Sequence, residues 1–567
     1  MRKINYITLL FSLCFSYNVC AQLSTNEMPV SFKMKLDVKE SKRSAVQVVT
    51  TPELDMVKIE AEDKEDEEYD MPPRFGYPHK VNYDLNNSGT WYTLPNGDKL
   101  WQLNVICPKA LSVNFCYDKF WLPEGGKFFV YSKDRKHSIG AFTSRNNKGT
   151  RERLCGFATG LVYGEDVVLE YYQPKETEQD AIISIDMIVH GYRYINIGFG
   201  YSGSCQVNVN CDEGQEWQKE KNAVALILVN GNRYCTGSLI NTTDLSRMPY
   251  LLTADHCLID SNNESLKYDA VNSPNLYNYS FYWNYEAPDC TNVNVEPPFY
   301  STQGATVIAN NSYSDFALIQ LSEDPKDLSN YTPYYLGWDW SGQSGLPGVC
   351  IHHPSGDIKK ISTVAYQPVS DYWYNPSDAG SHWRVIWQAT PHGHGTTEGG
   401  SSGSPLLNAS HKVIGQLHGG DSSCDKLLWP DWFGKFDLSW TGNGNDSIQR
   451  RLDCWLDPQG AWGQTLDGLL VIPSSMTINT NQQLSENICI PNNVQVTIQS
   501  NVEINEDFRM VVESGGHLII DGGRLNADLI LRPGATLRII NDGTIDTCKP
   551  FETQIGVIVD IVYGKII

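Results

Sequence analysis

The chain is short of positive charge: 44 Lys and Arg stand against 66 Asp and Glu, a formal net charge of −22 over 567 residues. That balance excludes a nucleic-acid partner, because phosphates are held by basic surface. Long apolar runs are missing after the first residues, so no later segment can span a bilayer as a helix. A metal-ligand pattern is missing too. His352, His353, His382, His392 and His394 fit no familiar zinc spacing and no carboxylate or cysteine completes a set, so neither metal nor other cofactor is expected.

What is present at the start is an export signal. Arg2 and Lys3 precede an apolar run from Ile4 to Phe15, then Val19-Cys20-Ala21 closes on small residues, which marks 1–21 as a removable signal peptide. The expected product is secreted, in a compartment that favours disulfides. Of 15 cysteines, Cys14 and Cys20 fall in that segment, leaving an odd 13. One thiol at least is expected to stay free or to pair unusually.

The length suggests about three or four domains. Residues 22–84 include Glu60-Ala61-Glu62-Asp63-Lys64-Glu65-Asp66-Glu67-Glu68 before Met71-Pro72-Pro73, a charge density that reads as a solvated acidic arm. From 85 to 200, short alternating runs such as Leu100-Trp101-Gln102-Leu103 and Lys127-Phe128-Phe129-Val130-Tyr131 fit a β-sandwich of about eight strands. No catalytic set lies there, and a propeptide that assists folding or covers an active site is the favoured role. Residues 201–462 are again rich in β signals, with Val224–Val229 as a buried strand and Asn230-Gly231 as a hairpin turn. Ser447–Leu456 reads as a short amphipathic helix that closes this domain. In 470–567, short apolar runs separated by Gly-Gly, Pro-Gly and Asp-Gly suggest a small β-solenoid or sandwich, which could anchor the chain at a surface, bind glycan or serve an export route.

Chemistry concentrates in 201–462. In Glu398-Gly399-Gly400-Ser401-Ser402-Gly403-Ser404-Pro405, glycines on both sides of a serine let the backbone turn sharply. Ser402 is the candidate nucleophile, and the N–H groups of Gly400 and Ser402 are the candidate oxyanion hole. Thr253-Ala254-Asp255-His256-Cys257 offers His256 as general base, since an imidazole titrates near neutrality. Asp315 stands where a polar stretch enters the apolar strand Phe316–Leu321, placed to orient that imidazole. The chain order His, Asp, Ser is that of the two-barrel serine proteases.

With Ser202-Gly203-Ser204-Cys205, Trp283-Asn284-Tyr285, Ile351-His352-His353-Pro354 and Gln416-Leu417-His418-Gly419-Gly420, these phrases resemble the bacterial lysyl endopeptidases, over roughly 200–460. The resemblance implies a mainly β, two-barrel trypsin-like domain that hydrolyses protein and peptide substrates after lysine. It implies the disulfides Cys205–Cys424, Cys211–Cys290 and Cys235–Cys257. Asp431 matches the acid at the base of the primary pocket, ahead of Asp425 and Asp421, and His418 with Trp373 matches the stacked pair beside it. Outside the family set, Cys350 and Cys454 are expected to pair, and Cys489 with Cys548 to staple the C-terminal module. Ser401 stands where trypsin-like enzymes of animals place an aspartate, so the oxyanion hole is expected to form without an N-terminal switch. No lysine adjoins Gly198–Ser202, and Arg193 is the nearest upstream basic residue. Preference for arginine or glutamate, and an idle surface adhesin, are the alternatives.

Overall fold

The computed structural model describes residues 21–22, 27–33, 45–68, 71–193, 202–259, 275–292, 297–328, 330–460, 463–504, 508–546, 552–553 and 556–566. Nearly all of the expected signal peptide, residues 198–201 and Cys548 lie outside them. Among the described residues no helix is long and apolar enough to cross a membrane. The molecule is mainly β.

Twelve strands build the central pair of barrels. The first barrel contains β1 (Val224–Val229), β2 (Arg233–Leu239), β3 (Tyr250–Ala254), β4 (Asn275–Trp283), β5 (Tyr300–Asn311) and β6 (Phe316–Leu321). Their order is β5-β4-β1-β2-β3-β6, and pairing of β5 with β6 closes the ring. The second contains β7 (Val349–His352), β8 (Lys360–Thr363), β9 (His382–Val385), β10 (Pro405–Leu407), β11 (Lys412–Gly420) and β12 (Asp431–Lys435). These run β8-β7-β10-β11-β12-β9, and a bridge from Val364 to Trp387 returns the last to the first.

Strand β1 reads as an unbroken apolar run because it is covered on both faces. Ala225, Ile227 and Val229 face the barrel core, whereas Leu226 and Leu228 join Phe75, Cys116, Met187 and Val189 in a cluster shared with the preceding domain. That domain is a sandwich of two sheets. One sheet contains Gly76–Asp84, Ser112–Trp121, Cys155–Ala158, Val162–Tyr163 and Ile182–Gly191; the other contains Gln47–Thr50, Thr90–Thr93, Lys99–Ile106, Lys127–Ser132, Ser138–Phe142 and Asp166–Gln173. Nine of these strands fall within 85–200, where about eight are expected, and two more, Gln47–Thr50 and Gly76–Asp84, come from the segment before it.

The acidic arm expected over 22–84 is not one. Residues 47–50 and 76–84 are sandwich strands, and the charge run forms helix α1 (Met56–Glu68). Its carboxylates are held because cations meet them: Asp63 is 7% exposed and lies against Arg74 and Arg193, while Asp66 pairs with Arg233. Charge density alone gives no sign of those partners.

The C-terminal module is a β-solenoid of three parallel sheets. Each sheet stacks one strand per rung, so that Val496, Leu518, Leu537 and Val559 sit above one another. Its first sheet docks on the first barrel, burying Cys489 and Val511 in the barrel's own cluster.

Candidate active site

Asp315 is held before anything else in the site. It takes a left-handed backbone, φ 55°, at the turn into β6 and is wholly buried. Its carbonyl accepts the Asp255 N–H at 2.9 Å, and its Oδ1 accepts the His256 N–H at 3.0 Å. Oδ2 then lies 2.8 Å from His256 Nδ1. Three contacts fix both the position and the tilt of the ring, and they place an N–H on Nδ1 facing the carboxylate. The disulfide Cys235–Cys257 ties the residue after His256 to β2.

The serine loop is threaded against the same strand. The Ser402 carbonyl accepts the Thr236 N–H at 2.8 Å and lies 3.9 Å from Cys257 Sγ. Thr236 Oγ1 donates to the Gly400 carbonyl at 2.9 Å and accepts the His353 N–H at 3.1 Å. Gly400 and Gly403 both have positive φ, 95° and 83°. At Gly403 a Cβ would fall onto Thr253 Oγ1 and the Thr236 carbonyl, so only glycine fits. Among the described residues, the backbone N–H groups of Gly400 and Ser402 make no hydrogen bond. The loop thus carries two unspent donors beside a half-buried serine, the arrangement that stabilises charge developing on a carbonyl oxygen.

Ser401 is oriented by a histidine and no cation. Its Oγ lies 2.7 Å from His352 Nδ1 and accepts the Glu398 N–H at 3.2 Å, and His352 Nε2 lies 3.0 Å from Ser362 Oγ. Burial lowers the His352 pKa to about 3, keeping the ring neutral.

Asp431 opens β12 opposite Gly420 and is wholly buried. Trp387 Nε1, Thr397 Oγ1 and Ser422 Oγ each donate to Oδ2 at 2.6 Å, and the Ser422 N–H donates to Oδ1 at 3.1 Å. Burial nevertheless raises its pKa, more than these donors lower it. A side chain on Gly420 would run into the carboxylate, so that position is confined to glycine.

His418 lies against the His256–Asp315 pair. Its ring stacks on Trp373 at 4.1 Å and 20° and on His256 at 5.5 Å and 21°, and its Nε2 is 3.6 Å from Asp315 Oδ2. His382 Nε2 lies 2.9 Å from His418 Nδ1, and Ser381 Oγ lies 2.6 Å from His382 Nδ1. Burial, with His418 beside it, lowers the His382 pKa to about 3.

Of the expected site residues, Asp315 lies against His256 and His418, His418 stacks on Trp373, the Ser402 carbonyl reaches Cys257 next to His256, and Asp431 opens β12 of the second barrel. The disulfides Cys205–Cys424, Cys211–Cys290 and Cys235–Cys257 are present. Cys350 and Cys454 are unpaired: Cys350 is buried against Ser404 Oγ at 3.1 Å in the second barrel, and Cys454 sits in the half-buried closing segment. That segment is a 3-10 turn, Ile448–Arg450, and one α-turn, Asp453–Leu456, in place of a continuous helix. Sequence reasoning misses Trp387, Thr397, Ser422 and the His382 contact. Each arrives from a different strand or loop, and only barrel closure makes them neighbours.

Residues 199–434 match the family model described as lysyl endopeptidase, C-terminal domain. A lysyl endopeptidase of Pseudomonas aeruginosa is 30% identical over 286 residues, 47% of this chain and 57% of that protein. The chain thus spans little more than half the length of that relative. Among solved structures, Rv3671c of M. tuberculosis H37Rv in an inactive form has 16% identity and a TM-score of 0.23, covering 38% of this chain and 82% of that one. The HtrA-type protease AlgW with a tripeptide has 13% identity and a TM-score of 0.26, covering 40% and 60%. Similarities this low add nothing to what the geometry itself carries.

Proposed function

We propose that this chain, whose residues 199–434 match the lysyl endopeptidase family model, is a secreted serine endopeptidase precursor that cuts after lysine. Ser402 Oγ attacks the scissile carbonyl. His256 takes the hydroxyl proton and returns it to the leaving amine, while Asp315 holds the imidazole and stabilises its charged form. The amides of Gly400 and Ser402 receive the oxyanion. An acyl-enzyme forms as the amine departs, and water then repeats the sequence to release the acid.

Asp431 supplies the preference. A buried carboxylate that already accepts four hydrogen bonds is a fixed negative floor; an ammonium gains a partner there, whereas a neutral side chain would leave it uncompensated. The stacked His418 and Trp373 narrow the wall against the broader guanidinium. The observation that carries the reading is the Asp315–His256 contact beside a loop with two unspent amides. Residues 1–21 are the export signal, the sandwich is the propeptide, and the solenoid is an accessory module for glycan or a surface.

The test is digestion of matched peptides that differ only in the residue before the cut. Lysyl peptides should be hydrolysed far ahead of arginyl, norleucyl and glutamyl ones, and a serine-directed phosphonate should label the protein unless Ser402 is replaced by Ala. Labelling that survives Ser402→Ala would end the proposal, and equal rates across the peptides would remove its lysine clause.

A further inference from the structure

Between α1 and the first long sandwich strand, Met71-Pro72-Pro73-Arg74-Phe75 runs along the outer side of β2 in the protease domain. The pairing is antiparallel. The Tyr234 N–H donates to the Pro73 carbonyl at 3.1 Å, and the N–H groups of Phe75 and Gly76 donate to the Asn232 carbonyl at 2.9 and 3.3 Å. Arg233 Nη1 donates to the Pro72 carbonyl at 2.7 Å, and its Nη2 pairs with Asp66 of α1 at 2.7 Å. The Pro73 ring is set against Gly399, so that a Cβ on that glycine would come within 2.6 Å of Pro73 Cγ. Gly399 immediately precedes the candidate oxyanion glycine, and the Tyr234 ring packs against Gly400 itself.

A peptide whose carbonyl sits over Gly400 and Ser402 must continue past the cut as an extended chain, and the outer backbone groups of Asn232 and Tyr234, which the strap takes in this structure, are what such a chain would pair with. From this we propose that residues 72–76 occupy the leaving-group side of the substrate cleft, holding the protease domain shut to extended substrates while Ser402 stays formed and open to small ones. The inference rests on the serine-protease reading above. Two prolines suit the strap, because they fix φ and keep the segment extended. It also offers no lysine. Its one cation, Arg74, is turned back toward its own domain, with Nε 2.9 Å from Asp63 Oδ1 and 3.1 Å from Tyr192 Oη, and Nη2 3.1 Å from Glu62. Helix α1 is thereby the buckle: Asp63 grips Arg74 from the propeptide side and Asp66 grips Arg233 from the enzyme side.

The full-length chain can be assayed with two substrates, a small lysyl thioester that has no residues after the cut and a lysyl peptide extended by four. In the wild type the thioester should turn over while the extended peptide is cut slowly. Arg74→Ala, and separately Asp66→Asn, should raise the peptide rate by about tenfold or more relative to the thioester rate. If both variants keep the wild-type melting temperature and neither changes that ratio, the strap proposal fails. If neither substrate reacts with any of the three proteins and no phosphonate labels Ser402, the protease reading fails and takes the strap with it. Asp66→Asn guards against misfolding of Arg74→Ala, since Asp66 is the more exposed of the gripping carboxylates.

Discussion

On the proposed reading, Asp431 is the carboxylate that meets the substrate cation. Asp431→Asn should lower kcat/KM for lysyl substrates by roughly 10²- to 10⁴-fold, the scale of breaking a buried charge pair at about 3–5 kcal/mol, with little change for the Ser402 labelling rate. The pH dependence follows from the direction of its shift. The carboxylate is ionised above a pKa that burial has raised, so KM for lysyl peptides should climb as pH falls through that value, earlier than a solvated aspartate would allow. A KM that stays flat down to pH 4 would contradict this. In the sandwich, burial and then the neighbouring Asp118 raise Asp186 to about 6, and among the described residues its Oδ1 has no hydrogen-bond partner. Its folded pKa exceeds the unfolded value of about 3.9, so the folded state binds the extra proton. That stability is present below the unfolded value and is lost as pH rises through about 6. Asp186→Asn should therefore leave the melting temperature unchanged at pH 4 and raise it at pH 8.

Loops and strands carry the next level of control. Gly403 is tied to its φ of 83° and to the space taken by Thr253, so Gly403→Ala must shift the serine loop. Active-site labelling should then slow by about 10²-fold or more, the cost of one misplaced oxyanion donor, while circular dichroism stays that of the native fold. Most of this loop could be read from residue order, because glycine on both sides of a serine has few other uses. Strand β1 was legible for the same kind of reason: an unbroken apolar run announces two covered faces. Helix α1 was not, since its sequence is dominated by carboxylates and the cations that hold Asp63 and Asp66 lie beyond it in the chain, at Arg74, Arg193 and, in the protease domain, Arg233. The Cys350–Cys454 pairing failed similarly. Counting thiols says that some remain free but not which, and Cys350 is enclosed in the second barrel beside Ser404.

At the scale of the whole molecule, the two accessory domains are joined to the barrels in different ways. The solenoid shares core with the first barrel through Cys489 and Val511 and reinforces that seam with Arg509 to the Thr243 carbonyl, 2.5 Å, and Lys219 to Glu486, 2.8 Å. Val511→Asp should lower the melting temperature of the protease domain as well as that of the solenoid, because an unpaired charge cannot be held in that seam; two separate transitions with only one displaced would show that the domains are energetically independent. The sandwich instead lays an apolar face on the outside of β1 and β4, with Phe75, Met187 and Val189 against Leu226, Leu228 and Tyr282. The Phe75 carbonyl also accepts the N–H groups of both Tyr192 and Arg193, so the strand that leaves the sandwich is clipped to the strap. A cut between Arg193 and Ser202 would therefore end covalent continuity without ending association. Onset of activity on extended peptides after such a cut should follow dilution and the dissociation half-life of the severed leader, and one molar equivalent of that leader, added back, should suppress cleavage of those peptides in trans.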